Sequence, residues 1–139
     1  ALANRTVNAH HYFTKEDNAL TKDWAFHRSV FVNPPYQRTL IYDCIAKCVE
    51  YTNQYPSTTM CILVNVSSET KWFQMLLNTS AIVCLFTRRI RFIDHNGNQS
   101  KGNTRSQAMF FYAPSLSKCT HFADEFGKYG ILMKRFRNE

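Results

Sequence analysis

Ser29-Val30-Phe31-Val32-Asn33-Pro34-Pro35-Tyr36 joins a short apolar run to a rigid polar turn, and a helical pattern begins just beyond it. Ser29 to Val32 reads as a short buried strand. Each proline fixes its own φ and lacks an N–H, so the turn continues neither a sheet ladder nor a helix. Its carbonyls stay free, and Asn33 adds an amide oxygen. A planar amino group needs acceptors of this kind, and Tyr36 supplies an aromatic face beside them. Asn-Pro and Pro-Pro are also ordinary turn signals, and many α/β proteins carry a strand, a proline turn and a helix with no chemistry there.

The segments around the turn alternate between strand and helix. Leu40, Ile41, Cys44, Ile45, Cys48 and Val49 recur at helical spacing, in a helix ending near Tyr51 to Tyr55 and closed by Pro56. Thr58 to Val66 is almost continuously apolar, which predicts a strand covered by helices on both faces. Ser67 or Ser68 is placed to cap a helix through Trp72, Phe73, Leu76 and Leu77. Ala81 to Phe86 is a further apolar run. Arg89 and Arg91 then alternate with Ile90 and Phe92, the period of a strand with one basic and one buried face. Asp94 to Arg105 carries turn chemistry, including Asn96-Gly97 and Lys101-Gly102. Gln107 to Tyr112 returns as a strand ended by Pro114. Cys119 to Tyr129 reads as a helix, and Ile131 to Met133 as a last strand. The expected fold class is α/β, a single domain over residues 1–139 with helices on both faces of the sheet. In open α/β sheets ligands gather at the carboxyl ends of the strands, where Asn33, Ser67 and the loop after Phe92 would lie.

At 139 residues the chain is large enough for a real core but short for a complete α/β enzyme. Hydrophobic residues make up 45%, yet no run approaches the roughly 18 apolar residues of a membrane span, so no membrane is expected. The five cysteines, Cys44, Cys48, Cys61, Cys84 and Cys119, are odd in number and mostly set in apolar patterns. They fit buried thiols in a reducing compartment, hence an intracellular location. Cys44 and Cys48 have core spacing, and His10-His11 lacks further ligands at metal spacing. The net charge of +7 favours a polyanionic partner. Arg88, Arg89, Arg91, Lys101 and Arg105 concentrate it, with Asp94 alone opposing them, so this stretch is either a solvated basic loop or a phosphate-binding surface. Arg38 is placed to reach a phosphate or to start the helix in solvent.

The nitrogen lone pair of an exocyclic amine such as N6 of adenine is delocalised into the ring. Hydrogen bonds from both amino hydrogens pull the nitrogen toward tetrahedral geometry and make it nucleophilic. Asn33 Oδ1 and the Pro34 carbonyl are the acceptors on offer. One preorganised group acting mainly in the transition state contributes roughly 3–4 kcal/mol.

Read in order, Tyr12-Phe13-Thr14, Asn18-Ala19-Leu20 with Trp24, Val32-Asn33-Pro34-Pro35-Tyr36, Thr70-Lys71-Trp72-Phe73, Arg89-Ile90-Arg91-Phe92 and Ser106 to Phe111 resemble the phage-type DNA N-6-adenine-methyltransferase family. The resemblance covers nearly the whole chain. It implies a Rossmann-like fold, S-adenosylmethionine as methyl donor and adenine in double-stranded DNA as acceptor. By that resemblance Asn33, Pro34, Pro35 and Tyr36 are catalytic. Tyr12, Phe13, Asn18, Leu20 and Asn33 face the cofactor, and Arg38, Arg88, Arg89, Arg91, Lys101 and Arg105 face DNA. Asn18 stands where the family commonly has aspartate, and Arg89 where it often has glycine. Family members usually carry a Leu-Asp-containing strand just upstream of the position of Ala1, so part of the cofactor site is expected before residue 1. None of the four glycines forms a glycine-rich loop after an early strand. The Asn-Pro-Pro-Tyr turn is shared with methyltransferases acting on RNA and on protein glutamine, which remain alternatives. Another is a catalytically incomplete nucleic-acid-binding subunit that needs a partner; in either case a homo-oligomer or a partner subunit is a further expectation.

Overall fold

The computed structural model describes residues 9–24, 28–37, 39–94, 96–100 and 104–135. Arg38 and Lys101 lie outside the described residues. Five strands form one sheet: β1 (Ser29–Val32), β2 (Thr59–Asn65), β3 (Ile82–Phe86), β4 (Gln107–Tyr112) and β5 (Gly130–Met133), in the order β1-β2-β4-β3-β5. β1 runs parallel to β2, and every other neighbouring pair is antiparallel. The carboxyl ends of β1, β2 and β3 therefore meet at one end of the sheet, beside the first residue of β4.

Three helices cover the two faces: α1 (Leu40–Gln54), α2 (Lys71–Thr79) and α3 (Leu116–Phe126). β4 explains the arrangement. All six of its residues are buried, because alternate side chains enter opposite cores. Ala108, Phe110 and Tyr112 join Ile41, Ile45 and Cys48 of α1 and Trp72, Phe73 and Leu76 of α2. Met109 and Phe111 join Cys119 and Phe122 of α3 on the other face, where the Phe111 and Phe122 rings stack at 4.4 Å. The mixed sheet with helices on both sides is the expected α/β class, consistent with a Rossmann-like methyltransferase fold.

Two local expectations change. The helix after β2 is capped by Thr70, whose Oγ1 accepts the Phe73 N–H at 3.3 Å, and not by Ser67 or Ser68. Ser67 instead closes the preceding turn through its carbonyl, which accepts the Thr70 N–H at 3.0 Å. The second change is larger. Arg88 to Phe92 forms no strand, although Arg89 and Arg91 are exposed while Ile90 and Phe92 pack on the α3-side core. The alternation came from burial without a ladder partner, and burial alone does not make a strand. Similarly, α3 begins at Leu116, earlier than the apolar pattern indicates, because the Ser115 hydroxyl accepts the Lys118 N–H and caps it there.

Candidate active site

The turn after β1 borders a cleft of about 540 Å³ at the carboxyl end of the sheet. Asn33, Pro34 and Tyr36 form one wall. Asn65 closes β2 and Gln107 opens β4, giving the cleft two further amides. The segment between β3 and β4 completes it with Phe92, Ser100, Thr104 and Arg105. The structure thus brings together Asn33, Pro34, Tyr36 and Arg105 among the residues singled out from sequence. Pro35 is exposed and does not line the cleft.

Tyr36 is fixed at both ends. Its hydroxyl accepts the backbone N–H of Asn65 at 2.6 Å, and its ring meets that of Trp72 at 6.2 Å and 57°. Trp72 is itself core, so it backs the ring and presents no open platform. Burial raises the Tyr36 phenol above its usual range, against smaller opposing effects of the Asn65 hydrogen bond and the Arg105 charge. The hydroxyl is therefore a neutral anchor at working pH. Tyr36 as a whole is 40% exposed, enough for its ring to offer a face to a flat ligand.

Asn65 and Gln107, like Phe92, Ser100 and Thr104, line the cleft but were not singled out from sequence as site residues. Asn65 and Gln107 stand directly opposite each other in the β2–β4 ladder, and Gln107 Nε2 donates to Asn65 Oδ1. Gln107 is only 3% exposed despite its polar side chain. The available signal was a polar residue at the end of one apolar run and at the start of another. Pairing them required the register.

The basic residues are distributed unevenly. Arg88, Arg89, Arg91 and Arg105 are all exposed, and Arg89 Nη1 donates to Ser106 Oγ at 2.8 Å next to the start of β4. Between them, Ile93 and Gln99 form an isolated antiparallel bridge. Asp94 Oδ1 accepts the N–H groups of Asn96 and Asn98 at 2.8 and 2.9 Å, which occupies the carboxylate of that stretch.

Tyr12, Phe13, Asn18 and Leu20 belong to a segment before β1 and do not line the cleft. Ala19–Thr21 is a turn of 3-10 helix fastened to α1 by Lys47, whose Nζ donates to the carbonyls of Ala19 and Leu20, each at 2.9 Å. Phe13 and Ala19 pack against the same core as Val30 and Val32 of β1. Asn18 sits at φ 50°, a left-handed conformation that asparagine tolerates better than most side chains, and its amide makes no capping bond. The neighbouring Asp17 carboxylate is taken up locally, accepting the Thr14 N–H at 2.7 Å and its hydroxyl at 2.8 Å.

Comparison with known proteins gives the same reading. A DNA N-6-adenine-methyltransferase of Haemophilus phage HP1 (strain HP1c1) is 32% identical over 105 residues, which cover 74% of this chain and 58% of the phage protein. The chain thus spans little more than half the length of that relative. The profile of the DNA N-6-adenine-methyltransferase (Dam) family matches residues 1–129, so the Asn33 turn and the arginine-rich loop both fall inside it, and this chain belongs to that family.

Proposed function

We propose that the cleft at Asn33 is the acceptor site of a DNA adenine N6-methyltransferase that uses S-adenosylmethionine. The observation that carries this reading is the convergence of Asn33, Pro34, Tyr36 and Arg105 on one cleft at the carboxyl ends of β1 and β2. An adenine flipped from a duplex, at a cost of a few kcal/mol, enters against the exposed face of Tyr36. Asn33 Oδ1 and the Pro34 carbonyl accept hydrogen bonds from N6 and localise its lone pair. They also stabilise the positive charge that develops on nitrogen, an effect realised mainly in the transition state. The amine becomes acidic as it is alkylated, so a strong base in the cleft is unnecessary.

S-adenosylmethionine, when bound, supplies an electrophilic methyl group on sulfur. On the donor side, Asn33 stands at the end of β1, and Phe13 packs against the core that β1 also borders. The aromatic ring of Tyr12 and the uncommitted amide of Asn18 would hold an adenosyl group, with Phe13 and Leu20 shaping its apolar side. Asn18 offers an amide oxygen where a carboxylate would have offered charge, so it accepts an amino hydrogen as a neutral partner. Arg88, Arg89, Arg91 and Arg105 would meet phosphates of double-stranded DNA. A DNA-directed reaction places the protein inside the cell, and among the described residues no helix is long and apolar enough to cross a membrane.

The test is mass spectrometry of nucleosides after incubation of DNA, RNA and protein substrates side by side with the chain and S-adenosylmethionine. N6-methyladenine in DNA alone is the expected result. Methylation of only RNA or protein glutamine would move the substrate assignment. Absence of cofactor binding by calorimetry together with retained DNA binding would replace the enzyme with a nucleic-acid-binding subunit.

A further inference from the structure

We propose that Asn65, held by Gln107, reads a ring nitrogen beside the amino group of the target base; this rests on the adenine-methylating reading of the same cleft. The two amides lie opposite each other at the end of the β2–β4 ladder and both line the cleft that contains Asn33. One hydrogen bond joins them, from Gln107 Nε2 to Asn65 Oδ1. That bond occupies the Asn65 oxygen and leaves its Nδ2 hydrogens without a partner among the described residues. A pair of carboxamides sharing one bond always keeps one NH2 group for a third partner. Here that NH2 is a donor lining the same cleft as Asn33 and Pro34, which offer acceptors.

Adenine is complementary to such a cleft. Its N6 amino group donates, and the ring nitrogens on either side of it, N1 and N7, accept. With N6 held by Asn33 and Pro34, a donor from Asn65 would fix the base against rotation in its plane. It would also reject a ring that presents a hydrogen at that edge, because the Asn65 donor would then lose its partner. Gln107 is 3% exposed and acts through Asn65, which makes it a positioning residue. The backbone N–H of Asn65 separately anchors Tyr36, so side-chain substitutions at Asn65 leave that anchor in place.

The experiment compares kcat/KM of the full chain on duplex oligonucleotides carrying adenine, 1-deazaadenine or 7-deazaadenine at the methylated position. Asn65→Asp keeps an oxygen to accept the Gln107 bond and removes the donor, and Asn65→Ala is the second variant. Thermal unfolding of both variants checks the fold. The wild type is expected to lose about 10- to 100-fold on one of the two analogues, which names the nitrogen that is read. Both variants are expected to lose that penalty while remaining slower than wild type on adenine. Equal analogue penalties in wild type and variants would overturn the inference and leave the proposed reaction standing. A wild type that fails to methylate the adenine duplex would overturn the proposed reaction itself.

Discussion

The Tyr36 hydroxyl accepts the backbone N–H of Asn65 at 2.6 Å, tying the turn that follows β1 to the last residue of β2. This bond spans 29 residues of sequence and sets the position of an aromatic ring relative to Asn33. The position of that ring therefore depends on a contact between strand ends as well as on the two prolines.

Tyr36→Phe keeps the ring and removes the anchor. The loss of one hydrogen bond should lower stability by about 1 kcal/mol, read by urea unfolding. Methylation should fall about 10-fold, mostly in kcat, since a loosened ring leaves N6 misaligned. Tyr36→Ala, which removes the stacking face, should fall much further. Equal activity for Tyr36→Phe and wild type would show that the anchor plays no part in alignment.

Titration should show the same burial. Tyr36 is shifted upward in the folded chain, so its contribution to stability is complete below its ordinary value of 10.0 and is lost as pH rises through the folded value. Cys61 follows the same sign: burial pushes its thiol to about 11 from 9.0, and its contribution fades between those values. Urea unfolding measured from pH 7 to pH 11 should give a plateau to about pH 9 and then a decline. Activity between pH 6 and 9 should carry no inflection from Tyr36. An inflection in that range that disappears in Tyr36→Phe would contradict a raised phenol.

Asn33→Ala removes one of the two acceptors proposed for N6. The expected loss is about 10²- to 10³-fold in kcat, with DNA affinity nearly unchanged because the proposed phosphate contacts lie elsewhere. Asn33→Asp keeps an acceptor oxygen and should retain more activity than Asn33→Ala. A gel-shift series alongside the kinetics separates the two effects. If Asn33→Ala methylates at the wild-type rate, the turn is only a turn.

Arg89 and Arg91 stand exposed on the same irregular segment, and replacing both with alanine should weaken DNA binding on every sequence alike. If each neutralises one phosphate, the slope of log affinity against log salt should become shallower by about 1.8. Arg89→Ala alone also breaks its bond to Ser106, so it should slightly disturb the start of β4. An unchanged salt slope in the double variant would remove this segment from the DNA surface.

Much of the fold could be read from composition, because β2, β3 and β4 are apolar along nearly their whole length and the helices repeat at their own spacing. Strand direction could not. Nothing local to Gln107–Tyr112 indicates that it lies between β2 and β3 and runs against both. The turn from Asn33 to Tyr36, proposed as catalytic, was legible because its chemistry is contiguous in sequence. The Asn65–Gln107 pair was not, since its members are 42 residues apart and meet only through register. The alternation from Arg89 to Phe92 gave the correct burial but the wrong element, since two apolar side chains reach the α3-side core from an irregular segment.

Gly130 tests whether the far edge of the sheet supports this site. β5 pairs with β3 so closely that a Cβ at Gly130 would lie 2.2 Å from the Leu85 carbonyl oxygen and 2.7 Å from Cys84 Sγ. Neither neighbour yields easily, because one is backbone and the other is a fully buried side chain. Gly130→Ala should therefore cost about 1–3 kcal/mol through overpacking. Gly97 provides the contrast: it sits at φ +83° with open space around it, so Gly97→Ala meets backbone strain alone and should cost about 1 kcal/mol, the low end for a left-handed non-glycine residue. Tm from calorimetry should fall more for Gly130→Ala than for Gly97→Ala. The opposite order would mean that β5 can move away from β3 at little cost, and that the end of β3 leading into the arginine-rich segment does not depend on it.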